Sequence, residues 1–269
     1  MESRLKLETT RMLATIDELG IAWVTFNHPE RHNALSLDMW QAMGDIFEQL
    51  DVRDDVRVAV MTGAGGKAFV SGADISEFDK QRASSEQRAE YGKIAGRGTK
   101  AMARFRKPLI AMIDGYCIGG GLATALAADI RFATPQSSFG IPAARLGLGY
   151  EYDGLATLCR LVGPAVASDI MFSARFFPTS EAQAMGIVNF SYSQADIRNQ
   201  VTEYAARIAG NAPLTIRAAK SAVSVWSRGE ADGRREAVME QVNACFDSDD
   251  YKEGRKAFAE KRAPNFRGK

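Results

Sequence analysis

The sequence predicts an α/β fold followed by a helical region. Short apolar, strand-like runs alternate with helical segments up to about residue 180, and beyond it helical patterns dominate. No Pro-, Gly- or Ser-rich linker separates the two parts. Residues 1–195 are therefore expected to form an α/β core, and residues 196–269 a helical C-terminal region docked on it.

The elements follow in order. Ile21–Phe26 (IAWVTF) is a β-branched and aromatic run after a turn at Asp17–Gly20. Ser36 is placed to cap a helix whose Leu37, Trp40, Met43, Phe47 and Leu50 recur every three or four residues. Val56–Met61 reads as a buried strand, and a polar stretch from about Glu77 to Phe105 as a helix. Leu109–Ile113 is a strand broken by Asp114-Gly115. Leu122–Ala128 is a short apolar helix, and Ile130–Thr134 a further strand. Strand, loop and helix in rotation argue for mostly parallel pairing. The helical part comprises Ser180–Met185, Ala195–Gly210, Pro213–Ser227, Glu230–Cys245 and Asp249–Lys261, the last opened by two aspartates that suit a helix start.

Composition narrows the function. The 269 residues carry 34 Lys and Arg against 33 Asp and Glu, a net charge of +1, which gives no reason to expect nucleic acid as a partner. Hydrophobic residues at 46% and charged residues at 25% are ordinary globular usage. Cys117, Cys159 and Cys245 form neither a disulfide framework nor a zinc pattern, which fits a reducing compartment. His28 and His32 are too few for a His-rich metal site. No uninterrupted apolar run reaches the roughly 18–20 residues of a membrane helix, and the N-terminus lacks a signal-peptide core. The simplest expectation is a cytoplasmic protein with no membrane partner.

Two segments suggest chemistry. Gly119-Gly120-Gly121 runs into an apolar helix, where unpaired backbone N–H groups can hold a developing negative oxygen. Taken alone, the run is equally a tight turn that needs small residues. Phe69-Val70-Ser71-Gly72-Ala73-Asp74 ends a loop and can present N–H groups in the same way. Neither is a nucleotide fingerprint, since the G-x-G-x-x-G spacing and a G-K-[ST] loop are both missing.

Five ordered pieces carry a resemblance: FNHPERHNALS (Phe26–Ser36), KAFVSGADI (Lys67–Ile75), KPLIAMIDGYCIGGGLATALAADIRFAT (Lys107–Thr134), FGIP from Phe139, and YKEGRKAFAEKRAPNF (Tyr251–Phe266). Together they resemble the crotonase superfamily, the enoyl-CoA hydratase/isomerase family, over nearly the whole chain. The resemblance implies a crotonase-like spiral of β-β-α units, with C-terminal helices that build homotrimers, often paired into homohexamers. It implies an acyl-CoA thioester substrate and no cofactor beyond the coenzyme A of that substrate. The N–H groups of Ala73 and Gly120 would grip the thioester oxygen. The adenine and pantetheine would run along the Ser71–Ile75 backbone, including Asp74 and Ile75, with His32 bordering the phosphates. Phe258 and Lys261 match C-terminal coenzyme A contacts that in the family can come from a neighbouring subunit.

The sequence also departs from the family pattern. The two glutamates that handle water in the best-known hydratases correspond to Ala123 and Ala143 here. Alanine neither positions nor deprotonates water, so the resemblance does not extend to two-glutamate hydration. Glu151 lies where some family members, a dienoyl-CoA isomerase and a dehalogenase among them, carry an acidic catalytic residue. Tyr150 lies close to a tyrosine of a methylmalonyl-CoA decarboxylase, whose active-site histidine is replaced here by Ala73. Asp153 stands behind them as a supporting polar group. Three functions follow: proton transfer or nonstandard hydration through Glu151, decarboxylation of a malonyl-type CoA ester, and non-catalytic acyl-CoA binding.

Overall fold

A computed structural model of the chain describes residues 3–74, 85–150 and 152–269, apart from the side chains at positions 85 and 88. Two sheets lie within the described residues. The first runs β1-β2-β3-β4-β6-β8-β11, with β1 Ser3–Arg4, β2 Met12–Ile16, β3 Ile21–Phe26, β4 Val58–Gly63, β6 Leu109–Ile113, β8 Ile130–Ala133 and β11 Phe190–Ser191. The second runs β10-β9-β7-β5, with β5 Ala68–Val70, β7 Tyr116–Ile118, β9 Ser138–Gly140 and β10 Phe177–Pro178. From β3 to β11 the first sheet is parallel, and so are β5, β7 and β9 in the second.

The chain therefore winds as a spiral. Each turn places one strand in the first sheet and the next strand in the second, then returns. Thus β4 is followed by β5, β6 by β7 and β8 by β9. The helices in chain order are α1 Leu37–Val52, α2 Ser85–Arg104, α3 Gly120–Leu126, α4 Tyr152–Ser173, α5 Thr179–Ala184, α6 Ile197–Ala209, α7 Pro213–Arg228, α8 Ala231–Phe246 and α9 Asp249–Glu260.

Strand composition follows from burial on two faces. In β3, Ala22, Val24 and Phe26 enter the main core, while Ile21 and Trp23 face a second core. That second core is closed by Ile197, Val201 and Ala205 of α6, packed with Val58, Val60, Ile110 and Phe132. Strands covered on both sides read as continuous apolar runs, as LIAMI of β6 does. The helix α1 buries Met39, Trp40, Met43, Phe47 and Leu50, the face its spacing predicts.

Several boundaries differ from the sequence expectations. The strand expected at Val56–Met61 is Val58–Gly63, because Gly20 O takes the Arg57 and Val58 amides and pairing with β3 starts there. The helix expected at Leu122–Ala128 begins inside the glycine run and ends at Leu126. The first eight residues of the Glu77–Phe105 expectation lie outside the described residues, and helix is seen over Ser85–Arg104. Ser36 stands at the N-cap of α1, but its hydroxyl bonds the Asp38 carboxylate instead of a backbone amide.

Among the described helices, α4 is long and apolar enough on average to cross a membrane. Its path breaks at Gly163 (φ 78°, ψ 163°), followed by Pro164, so it is two shorter helices joined at a kink.

Candidate functional site

Sheet topology gathers the motif segments. The strands β5, β7 and β9 lie side by side and parallel, so their C-terminal ends emerge along one edge. Ser71–Asp74 follows β5, Gly119–Ala123 follows β7, and Ile141–Tyr150 follows β9. The crevice beyond the carboxyl ends of parallel strands is where open α/β sheets hold ligands.

Two backbone amides, of Ala73 and Gly120, come close together there. Val70 pairs with Cys117 across β5 and β7, and Ala73 and Gly120 each stand three residues further on. A short parallel bridge links Ala73 to Leu35. It uses the Leu35 amide on Gly72 O (2.8 Å) and the Asp74 amide on Leu35 O (2.9 Å). The intervening Ala73 N–H is thereby turned away from Leu35. Gly120 opens α3, where an amide has no acceptor within its own helix. Among the described residues neither the Ala73 nor the Gly120 N–H has a hydrogen-bond acceptor. A Cβ built on Gly120 would lie 3.8 Å from Ala73 N, which sets the closeness of the two segments.

The three glycines differ in what requires them. Gly119 has φ 55° and ψ −116°, a conformation that side chains resist, and its amide donates to Gly140 O at 2.8 Å. At Gly121 a Cβ would overlap the Val70 carbonyl oxygen, so only glycine lets α3 approach β5 this closely. Gly120 has neither constraint; a Cβ there would meet nothing nearer than 3.8 Å.

Around this pair, Ala123 is half-buried and Ala143 is buried. Neither offers a titratable group. Tyr150 is half-buried, packs on the main core and lies against Gly154. Burial pushes its phenol up to about 12, so it is neutral across the physiological range. On the other flank, the Ser71 amide donates to His32 O (3.2 Å) and its hydroxyl to Arg31 O (3.4 Å), which lays the His32 segment along Ser71–Asp74. His32 is exposed, with φ 51° and its ring edge-on to Tyr116.

The structure thus brings together Ser71, Ala73, Asp74, His32, Gly120 and Ala123, with Ala143 and Tyr150 on the segment after β9. Ile75 and Glu151 lie outside the described residues. Phe258 and Lys261 are not brought in. Both are exposed at the end of α9, and Phe258 lines an apolar groove of about 730 Å³ between the C-terminal helices. No hydrogen bond or ion pair joins them to Ser71–Asp74 among the described residues. Sequence reasoning missed Leu35. Its side chain would lie 3.8 Å from a Cβ on Gly120, and its backbone orients Ala73. Only long-range pairing reveals that part.

The spiral and its paired amides define a class. The chain belongs to the enoyl-CoA hydratase/isomerase family, whose model matches residues 17–269, and it is an enzyme of that family. It is 33% identical over 242 residues to a short-chain-enoyl-CoA hydratase of Clostridium acetobutylicum, covering 90% of this chain and 92% of that protein. It is also 33% identical over 256 residues to a carnitinyl-CoA dehydratase of Escherichia coli strain K12, covering 93% and 96%. Among solved structures it is similar to an enoyl-CoA hydratase/carnithine racemase from Magnetospirillum magneticum, with a TM-score of 0.91, 35% identity and 97% of each chain covered.

Proposed function

We propose that this enzyme binds an acyl-CoA thioester and stabilises its enolate between the N–H groups of Ala73 and Gly120. The observation that carries this reading is the pair of acceptor-free amides at matched positions beyond adjacent parallel strands. A thioester enolate concentrates charge on one oxygen, and each preorganised donor is worth about 2.7–4 kcal/mol of barrier. Relatives named as hydratase and dehydratase act on CoA esters by name, which agrees with this substrate class.

The rest of the mechanism departs from two-glutamate hydration. Proton movement at the α or γ carbon needs a titratable group. Ala123 and Ala143 supply none, and we assign the role to Glu151 on its place in the sequence between Tyr150 and Tyr152. Tyr150, held neutral, orients the acyl group as a hydrogen-bond donor or packing wall. Ser71, Asp74 and Ile75 would line the pantetheine path and His32 the phosphates, with Phe258 and Lys261 contributed by a neighbouring subunit. The reaction is then isomerisation, or hydration by a nonstandard base.

One observation favours a second reading. Decarboxylation of a malonyl-type CoA ester needs the same oxyanion site but no carboxylate base, which suits Ala123 and Ala143. Mass-spectrometric product analysis with enoyl-, dienoyl- and malonyl-type CoA esters separates the two. Under the first reading Glu151→Gln lowers turnover of the best substrate by at least about 100-fold. Turnover that survives the change gives the site to the decarboxylase reading.

A further inference from the structure

Asn33 is fully buried and holds a left-handed backbone (φ 55°) outside any helix or strand. Every hydrogen-bonding position of its amide except one lone pair is used. Oδ1 accepts from the His28 amide at 2.9 Å. Nδ2 donates to Ala64 O at 2.9 Å and to Ala68 O at 2.7 Å. The side chain therefore ties the loop before α1 to both ends of the β4–β5 connection. Gly63 makes the approach possible, because a Cβ there would lie 2.8 Å from Nδ2.

The backbone beyond Asn33 does the rest. His32 O holds the Ser71 amide, and Leu35 holds Gly72 O and the Asp74 amide. The segment 32–35 is thus a splint along residues 71–74, and the direction of the Ala73 N–H is set by how that splint is anchored. Its side-chain anchor is Asn33. No substrate atom needs to touch this residue.

We infer that Asn33 is a positioning residue for the oxyanion site, aiming the Ala73 N–H through the Leu35 bridge. The inference rests on the oxyanion reading above. It differs from a purely structural clamp in what it predicts. Loss of the clamp should weaken the grip on the thioester carbonyl far more than the grip on the nucleotide.

The test uses Asn33→Asp, which keeps the shape but removes both N–H donors, and Asn33→Gly, which accepts the left-handed backbone and removes the side chain. Butyryl-CoA labelled with carbon-13 at the carbonyl is bound to each protein, and its carbonyl stretch is read by infrared difference spectroscopy. Being saturated, it cannot undergo hydration. In the wild type the stretch should fall on binding, because two donors polarise the carbonyl. In the variants that downshift should be lost and turnover of the best enoyl-CoA should fall about 100-fold, with the dissociation constant of free coenzyme A held within about threefold. A folded variant that keeps the full downshift overturns the role of Asn33 while leaving the oxyanion reading intact. Equal losses for free coenzyme A and for the carbonyl signal overturn it in favour of a structural clamp. A wild type with no downshift overturns the oxyanion reading, and the inference with it. If Asn33→Asp fails to fold, Asn33→Gly decides.

Discussion

A methyl group at position 121 would overlap the Val70 carbonyl oxygen, whereas one at position 120 would meet only ordinary contacts. The two substitutions should therefore separate stability from activity. Gly121→Ala should cost about 3 kcal/mol through forced repacking, read as a lower midpoint in urea unfolding. Gly120→Ala should leave that midpoint nearly unchanged, yet its methyl would stand 3.8 Å from Ala73 N, where in the proposed site it would crowd the thioester oxygen. Turnover should then fall about 100-fold, comparable to losing one oxyanion donor. A Gly120→Ala enzyme with full turnover would contradict the site. The glycine run is plain in the sequence, but its division of labour is not. A backbone angle at Gly119 and a close approach at Gly121 depend on partner strands distant in sequence.

Lys107 shows the same dependence for an element. Its ammonium donates to Leu50 O at 2.7 Å and to Arg53 O, closing the C-terminal end of α1 from the start of β6. Burial pushes its pKa down to about 8, with Arg217 and Arg106 adding to the effect and Asp51 and Asp54 opposing it. The unfolded chain then binds this proton more readily than the folded one between about pH 8 and 10.4, so the linked stability rises with pH through that window. The expected outcome is that wild-type urea midpoints climb relative to those of Lys107→Met as pH rises from 8 to 10. Parallel midpoints would assign no such linkage to Lys107. At this scale the long elements were legible, as α1 and β6 show. The strands β5, β7 and β9 were not, being three residues each. That is too short for any alternation to register. The second sheet, which presents the candidate site, consists of them and the two-residue β10, and only the resemblance pointed to it.

The C-terminal helices leave much apolar surface uncovered in one chain. No residue of α8 is buried, and Val223, Trp226, Phe246 and Phe258 are exposed. We propose that these helices form a trimer or hexamer, with the groove between α7, α8 and α9 near its interface. Sedimentation at micromolar concentration should give a species of at least three chains; a stable monomer would refute it. The helical character of this region was readable, and in α7 and α9 the pattern also marks a distinct apolar face, which α8 lacks. In the proposed oligomer a neighbouring chain would cover that face, and Phe258 and Lys261 would reach the Ser71–Asp74 segment of that neighbour.

Ala73 and Gly120 each stand three residues beyond Val70 and Cys117, the last pair of β5 and β7. Two amides that share one acceptor, as in the proposed site, are best placed about 4.8 Å apart, which is also the pitch of a sheet. One oxygen at about 2.9 Å from each then sees them about 110° apart, close to the lone-pair directions of a carbonyl. On the proposed reading, the main chain and not the side chains would set the calibre of such a hole. Selection could then retune what surrounds the oxygen, while the proposed jaws stay with the polymer.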